Sequence, residues 1–188
     1  LSCEQQIMQK YIIVEDKSFY CLNFLPQTIT ITGGIINDPP SNYSYLWSTG
    51  EITPNIEVNQ TGNYSVTVTN SNGCTKARTI TVLPSNIATI ESIEVEDVSQ
   101  NNTVTILISG EGEYSFALDD IVGPYQESNL FENVAPGIHT VYVRDNKNNC
   151  GIVDQLVSVI GFPKFFTPNH DSYNDTWQVY GISKQFQP

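Results

Sequence analysis

Apolar and polar residues alternate in short runs along most of the chain. In the clearest run, Tyr64, Val66 and Val68 are separated by Ser65, Thr67 and Thr69. This period of two puts apolar groups on one face of a strand and hydroxyls on the other. Similar runs, bounded by Gly33-Gly34, Pro39-Pro40, Gly50 and Asn72-Gly73, predict strands over 19–25, 28–32, 43–47, 55–58, 63–69 and 75–82. Further along, 103–109, 114–118 and 139–144 read as strands, with Gly110-Glu-Gly112 and Ala135-Pro-Gly137 as turns. No long segment has a helical period. The expectation is an all-β chain of tandem sandwiches.

Three cysteines, Cys3, Cys74 and Cys150, each precede a polar stretch and a short β run. Cys74 and Cys150 follow Ser71-Asn-Gly and Asn146-Lys-Asn-Asn, which is hairpin-turn chemistry before a final strand. A final strand at 3–14 would have no earlier strands to pair with, so the chain reads as a piece of a longer modular protein. Its parts are then 1–14, the last strand of an upstream repeat; 15–83, a first whole sandwich; 84–160, a second; and 161–188, the start of a third.

Charged residues are only 15% of the chain while Thr, Ser, Asn, Ile and Val abound, the composition of exposed β-sheet. The net charge of -12 is concentrated in 84–160, where twelve acids face two bases. Such a surface repels phosphates and anionic lipid headgroups, which argues against nucleic-acid or membrane-surface partners. No run approaches the roughly 20 apolar residues of a membrane span. The opening residues lack the basic and apolar regions of a signal peptide, which does not argue for the cytosol because the repeats place residue 1 inside a longer chain.

Catalytic chemistry is sparse. Only His139 and His170 are bases suited to neutral pH, and no Ser or Cys motif accompanies either, so the chain does not read as an enzyme. His139 shares strand parity with Val141 and Val143, as a partly covered strand side chain would. The four cysteines are too widely spaced for a zinc finger or ribbon, and no Gly-rich phosphate loop is present. No cofactor is expected, calcium apart. Asn169, Asp171, Asn174 and Asp175 bring four oxygen-bearing side chains into one loop, which suits Ca²⁺ but equally suits local Asx turns that need no ion. Asp119-Asp120 is a weaker candidate of the same kind. Tyr43, Tyr45 and Trp47 share one strand face, the geometry of a sugar-stacking platform and also of a core, with burial favoured for Trp47. Tyr125 and Tyr142 are further aromatic candidates.

Two resemblances sharpen this reading. The order Cys21, Trp47, Cys74 and the stretch Thr61-Gly-Asn-Tyr64 resemble the immunoglobulin core and its tyrosine corner. That resemblance implies immunoglobulin-like sandwiches and a Cys21–Cys74 bridge, although Val66 stands where an antibody-type domain has its second cysteine. Cys150 is left as a buried thiol or as a partner of Cys3 or of a segment outside this sequence. The stretches 43–50 and 62–68 are similar to the Ig-like and PKD-like repeats of Bacteroidetes surface proteins, and 112–120 with 131–145 to the repeats of gliding adhesins.

The run Phe162-Pro-Lys-Phe-Phe-Thr-Pro-Asn-His-Asp-Ser-Tyr-Asn-Asp-Thr-Trp177 resembles the opening of the type B, gliding-motility-associated C-terminal sorting domain of type IX secretion cargo. The family pattern, FPxFFTPNGDGxNDxW, is matched at Phe162, Pro163, Phe165, Phe166, Thr167, Pro168, Asn169, Asp171, Asn174, Asp175 and Trp177, with His170 and Ser172 in place of two glycines. The resemblance implies export through the periplasm and outer membrane to the cell surface or medium. The implied partners are the type IX outer-membrane translocon and its shuttle protein. The whole would be the C-terminal region of an adhesin whose sandwiches serve as spacers. The alternatives are the tail of a modular secreted polysaccharide-degrading enzyme, or a module that itself binds surface glycans.

Overall fold

A computed structural model gives the architecture, describing residue 3, residues 16–162, and 165, 167, 168, 170 and 175–182 beyond them. The chain forms two compact units, dividing between Ser85 and Asn86. Each is a β-sandwich, and the regular secondary structure of the described residues is nearly all strand, as the alternation predicts.

In the first unit, β1 (Lys17–Cys21), β3 (Tyr43–Trp47), β5 (Gly62–Asn70) and β6 (Thr75–Ser85) form one sheet in the order β1-β6-β5-β3. β2 (Ile29–Thr32) and β4 (Asn55–Val58) form the other. All pairs are antiparallel except β1 with β6, which run parallel. Tyr20, Ile31, Tyr45, Trp47, Ile56, Val66, Val68, Ile80 and Val82 fill the space between the sheets. The aromatic members keep their polar tips satisfied at the core margin. Trp47 Nε1–H donates to the Thr53 carbonyl at 2.8 Å and the Tyr45 hydroxyl to that of Pro40 at 3.2 Å. Burial pushes the Tyr45 phenol above its ordinary pKa. The Tyr43–Trp47 face is therefore a core face, not a stacking platform.

Cys74 is bonded to Cys3, with Cα atoms 5.1 Å apart. This corrects the Cys21–Cys74 bridge, and the strand register gives the reason. Cys21 lies beside Ser85 at one end of β6, whereas Cys74 precedes Thr75 at the other. Eleven residues of strand span roughly 36 Å, far beyond the ~7 Å that a disulfide tolerates between Cα atoms. The immunoglobulin-like order of cysteines thus arises with Cys21 on the parallel edge strand β1 and not on β2. Cys21 and Cys150 are buried, and neither is a free thiol. The strand expected over 3–14 lies outside the described residues apart from Cys3, whose backbone is helical.

The second unit pairs the sheet β10-β8-β7, made of Leu130–Phe131, Thr103–Ser109 and Thr89–Glu96, with β12-β11-β9, made of Ile152–Val159, Gly137–Asp145 and Tyr114–Leu118. Val104, Ile106, Phe116, Val134, Val141, Val143, Val157 and Val159 form its core.

The two sandwiches share local devices. In the first, the Tyr64 hydroxyl donates to the Gln60 carbonyl at 2.9 Å, two residues after Gly62 opens β5. This is the tyrosine corner. In the second, Gly137 opens β11 and His139 Nε2 lies 2.7 Å from the Ala135 carbonyl, again four residues back. The other ring nitrogen, Nδ1, lies 2.7 Å from Asp119 Oδ2. Six residues on, Asn70 and Asp145 end the two strands in the same way. Asn70 Oδ1 accepts the N–H groups of Asn72 and Cys74. Asp145, 1% exposed, accepts those of Lys147, Asn148 and Cys150.

Candidate functional site

Beyond β12 the chain turns back on itself at the end of the second sandwich. Gly161 and Tyr180 pair as an isolated antiparallel bridge, with Tyr180 N–H donating to the Gly161 carbonyl at 2.8 Å. One residue further in, the rings of Phe162 and Trp177 stack with centroids 5.3 Å apart and planes 13° from parallel. The first and last aromatic residues of the run from Phe162 to Trp177 therefore clasp its ends together. Glycine is required on both sides of the clasp. A Cβ on Gly161 would lie 2.3 Å from Pro136 Cγ, and one on Gly181, whose φ is +82°, would lie 2.2 Å from the Val159 carbonyl oxygen. The Ser158 hydroxyl donates to the carbonyl of Gly181.

Inside the clasp, His170 has φ +64°, the left-handed region that glycine enters without strain. Its N–H donates to Asp175 Oδ1 at 2.7 Å, a local turn contact of the kind Asx side chains make. Phe165 is 67% exposed, and Thr167 and Pro168 are exposed with it. Phe166, Asn169, Asp171 and Asn174 lie outside the described residues, so of the four proposed calcium ligands only Asp175 has a described place. Among the described residues no three His, Cys, Asp or Glu side chains converge to hold a metal.

Against the clasp lies a cavity of about 350 Å³ whose lining includes Val98, Asn102, Asn133, Pro136 and Phe162. Its walls are tied together by hydrogen bonds: Val98 N–H donates to the Ile160 carbonyl at 3.2 Å, and the Asp97 side chain accepts the Ile160 N–H through Oδ2 at 2.9 Å. Asn102 Nδ2 donates to the Val134 carbonyl at 3.0 Å. Val98 itself has φ +55°, a strained conformation for a β-branched residue.

The remaining sequence candidates have local roles. His139 is held by the corner and by Asp119, as a covered strand side chain. Asp119 is committed to His139 and to the Thr140 N–H, and Asp120 Oδ1 accepts the Val122 N–H in its own turn. These two carboxylates do not converge. Tyr125 and Tyr142 lie on the outer side of the second sandwich, and Tyr125 has a partner that sequence reasoning missed. The guanidinium carbon of Arg144 sits 3.8 Å from the centre of its ring.

No protein-family model matches the chain, and no sequence among the curated proteins matches it. Solved structures with a similar course include murine CEACAM1b, with 10% identity, covering 78% of this chain and 96% of that one at a TM-score of 0.47. Others are the fibronectin(III)-like modules of Clostridium thermocellum CbhA, with 14% identity, coverage of 79% and 91% and a TM-score of 0.41, and an amphioxus IgVJ-C2 molecule, with 13% identity, coverage of 71% and 96% and a TM-score of 0.39. At this distance the strand order and the corner carry the assignment. The chain is a pair of tandem immunoglobulin-like β-sandwiches. Its Cys3–Cys74 disulfide is the chemistry of an oxidising compartment, as for a domain displayed outside the cell. Among the described residues no helix is long and apolar enough to cross a membrane.

Proposed function

We propose that this chain is the C-terminal region of a Bacteroidetes adhesin or related surface protein exported by the type IX secretion system. In this reading the segment from residue 161 begins the sorting domain, and the translocon with its shuttle protein is the partner that reads it. The sandwiches serve as spacers and carry no catalysis. Rigid β modules in series suit that role, because each buries its own core.

The observation that carries the reading is the clasp. Phe162 and Trp177, the two ends of the motif, stack on each other, and His170 keeps a glycine-type backbone between them. The residues that match the sorting pattern therefore include the pair that joins the two ends of the run. A reporter fused to the native sequence from residue 161 onward, expressed in a type IX-competent cell, tests it. Appearance of the reporter at the surface or in the medium is expected, with loss on Trp177→Ala. Retention of the intact fusion in the periplasm overturns it.

A further inference from the structure

The outer face of the sheet β12-β11-β9 carries a fixed arginine with an open end. Arg144 and Tyr142 alternate with the buried Val141 and Val143 and so point outward together. The guanidinium of Arg144 lies on the Tyr125 ring, and its Nε donates to Asn146 Oδ1 at 3.1 Å. Asn146 is itself held by the Ser115 hydroxyl at 3.2 Å. The ring beneath is equally fixed. Its hydroxyl donates to the Ile121 carbonyl at 2.9 Å, and Gln126 pairs through its backbone with Phe116 of β9. A Cβ on Gly123 would lie 2.9 Å from the Tyr125 ring, so glycine there lets the ring lie close.

Among the described residues, nothing accepts from the terminal nitrogens of Arg144, and the Tyr142 hydroxyl has no partner. The chain's other arginine, Arg78, is instead used up on Asp16 and the Thr32 carbonyl. Half-exposed Tyr142 and exposed Ile152 flank the fork on the same face, Ile152 being directly opposite Arg144 across the strands. The Tyr125 phenol is held above its ordinary pKa, chiefly by burial, with Arg144 opposing and Tyr142 and Asp120 adding to the rise. That places all four groups in one electrostatic neighbourhood.

We propose that Arg144, Tyr142 and Tyr125 form a binding site for a carboxylate-bearing sugar, the uronic acid residues of an acidic polysaccharide. A pre-oriented planar fork with two free terminal nitrogens fits a carboxylate in bidentate fashion. The aromatic and apolar side chains beside it offer a floor for the C–H face of a pyranose, and the free phenol offers a hydrogen bond to a ring hydroxyl. The site is open instead of enclosed, which suits a polymer lying across the strands, where repeated weak contacts add up. Asp154, opposite Tyr142, and Asp120 flank the fork, and the net charge is -12. Polymers with several sulfates or phosphates per sugar are therefore repelled most strongly, while one carboxylate per sugar leaves a single charge at a time to set on the fork.

This site is separate from the sorting segment, and binding and export succeed or fail independently. Calorimetric titration of the full chain with an oligogalacturonate, with the same oligomer methyl-esterified, and with a peptide ending in a free carboxylate is the test. Saturable binding of the acid form is expected, with loss on esterification. Arg144→Lys, which keeps the charge but not the fork, should weaken it about tenfold or more. Asp154→Asn should tighten it several-fold. Melting curves of the variants confirm that each is folded. Absence of saturable binding to the acid form, equal binding of the ester, an unchanged affinity in Arg144→Lys, or binding of the peptide alone would each overturn the assignment.

Discussion

His139 occupies in the second sandwich the place that Tyr64 occupies in the first. Each lies two residues into its strand, and each ties its ring to a carbonyl four residues back, on Ala135 and Gln60 respectively. Tyr64→Phe deletes only the hydroxyl and should cost the first unit about 1 kcal/mol. His139→Ala removes two partners at once and should cost the second unit about 1–3 kcal/mol. His139→Tyr restores the corner without the Asp119 contact and should recover part of that loss. Urea unfolding of the three variants, read by tryptophan fluorescence and circular dichroism, would show the order; His139→Ala as stable as the native chain would refute the corner role.

The bond between Cys3 and Cys74 closes a loop with a sequence separation of 71, and loop closure of that size stabilises by about 4 kcal/mol. Cys3→Ser should lower the stability of the first unit by an amount of this order. A fragment beginning at residue 15 should show the same loss and a free thiol at Cys74. Thiol titration of the unfolded fragment gives the count directly.

Glu57 accepts hydrogen bonds from the hydroxyls of Thr30 and Thr28 on the neighbouring strand side. The Thr30 bond, then the Thr28 bond, lowers its pKa below the ordinary carboxylate value. A depressed folded pKa means that the contribution is complete above the unfolded value and is lost as pH falls through the folded one. Thr30→Val should therefore lower the melting temperature near neutral pH, and the gap should shrink as pH falls below the ordinary carboxylate range. Melting curves across that range would expose the difference, and a constant gap at every pH would contradict it.

Val98 is exposed and has φ +55°. Asparagine enters this region far more readily than a β-branched residue, so Val98→Asn should stabilise the second unit by roughly 0.5–1 kcal/mol. A drop in the denaturation midpoint would show that Val98 contributes packing that outweighs its strain.

Much of this architecture was legible because several strands keep a strict period of two. The alternation of Tyr64, Val66 and Val68 with hydroxyl residues leads directly to β5, and the parity of His139 with Val141 and Val143 to its covered position. β7 escaped notice because its bulge between Ile90 and Ser92 breaks the period, and Glu91, Glu94 and Glu96 interrupt what remains. The cysteine pairing was illegible for a different reason. Order along the chain says nothing about which end of β6 the parallel strand β1 brings Cys21 beside. The corner at His139 was hidden by a change of side chain within the Gly-x-Tyr pattern. The Arg144–Tyr125 contact joins residues from a loop and a strand that no local spacing connects.

The link from Cys3 to the start of β6 also fixes how the first sandwich carries tension. A pull applied between Cys3 and the end of β6 crosses directly to Cys74 and enters β6, leaving β1 to β5 outside the force path. About 250 Å of extended chain stays locked away from stretching for as long as the bond is intact. Reduction would release that length, so single-molecule extension of this unit should lengthen by that increment only after the bond is broken.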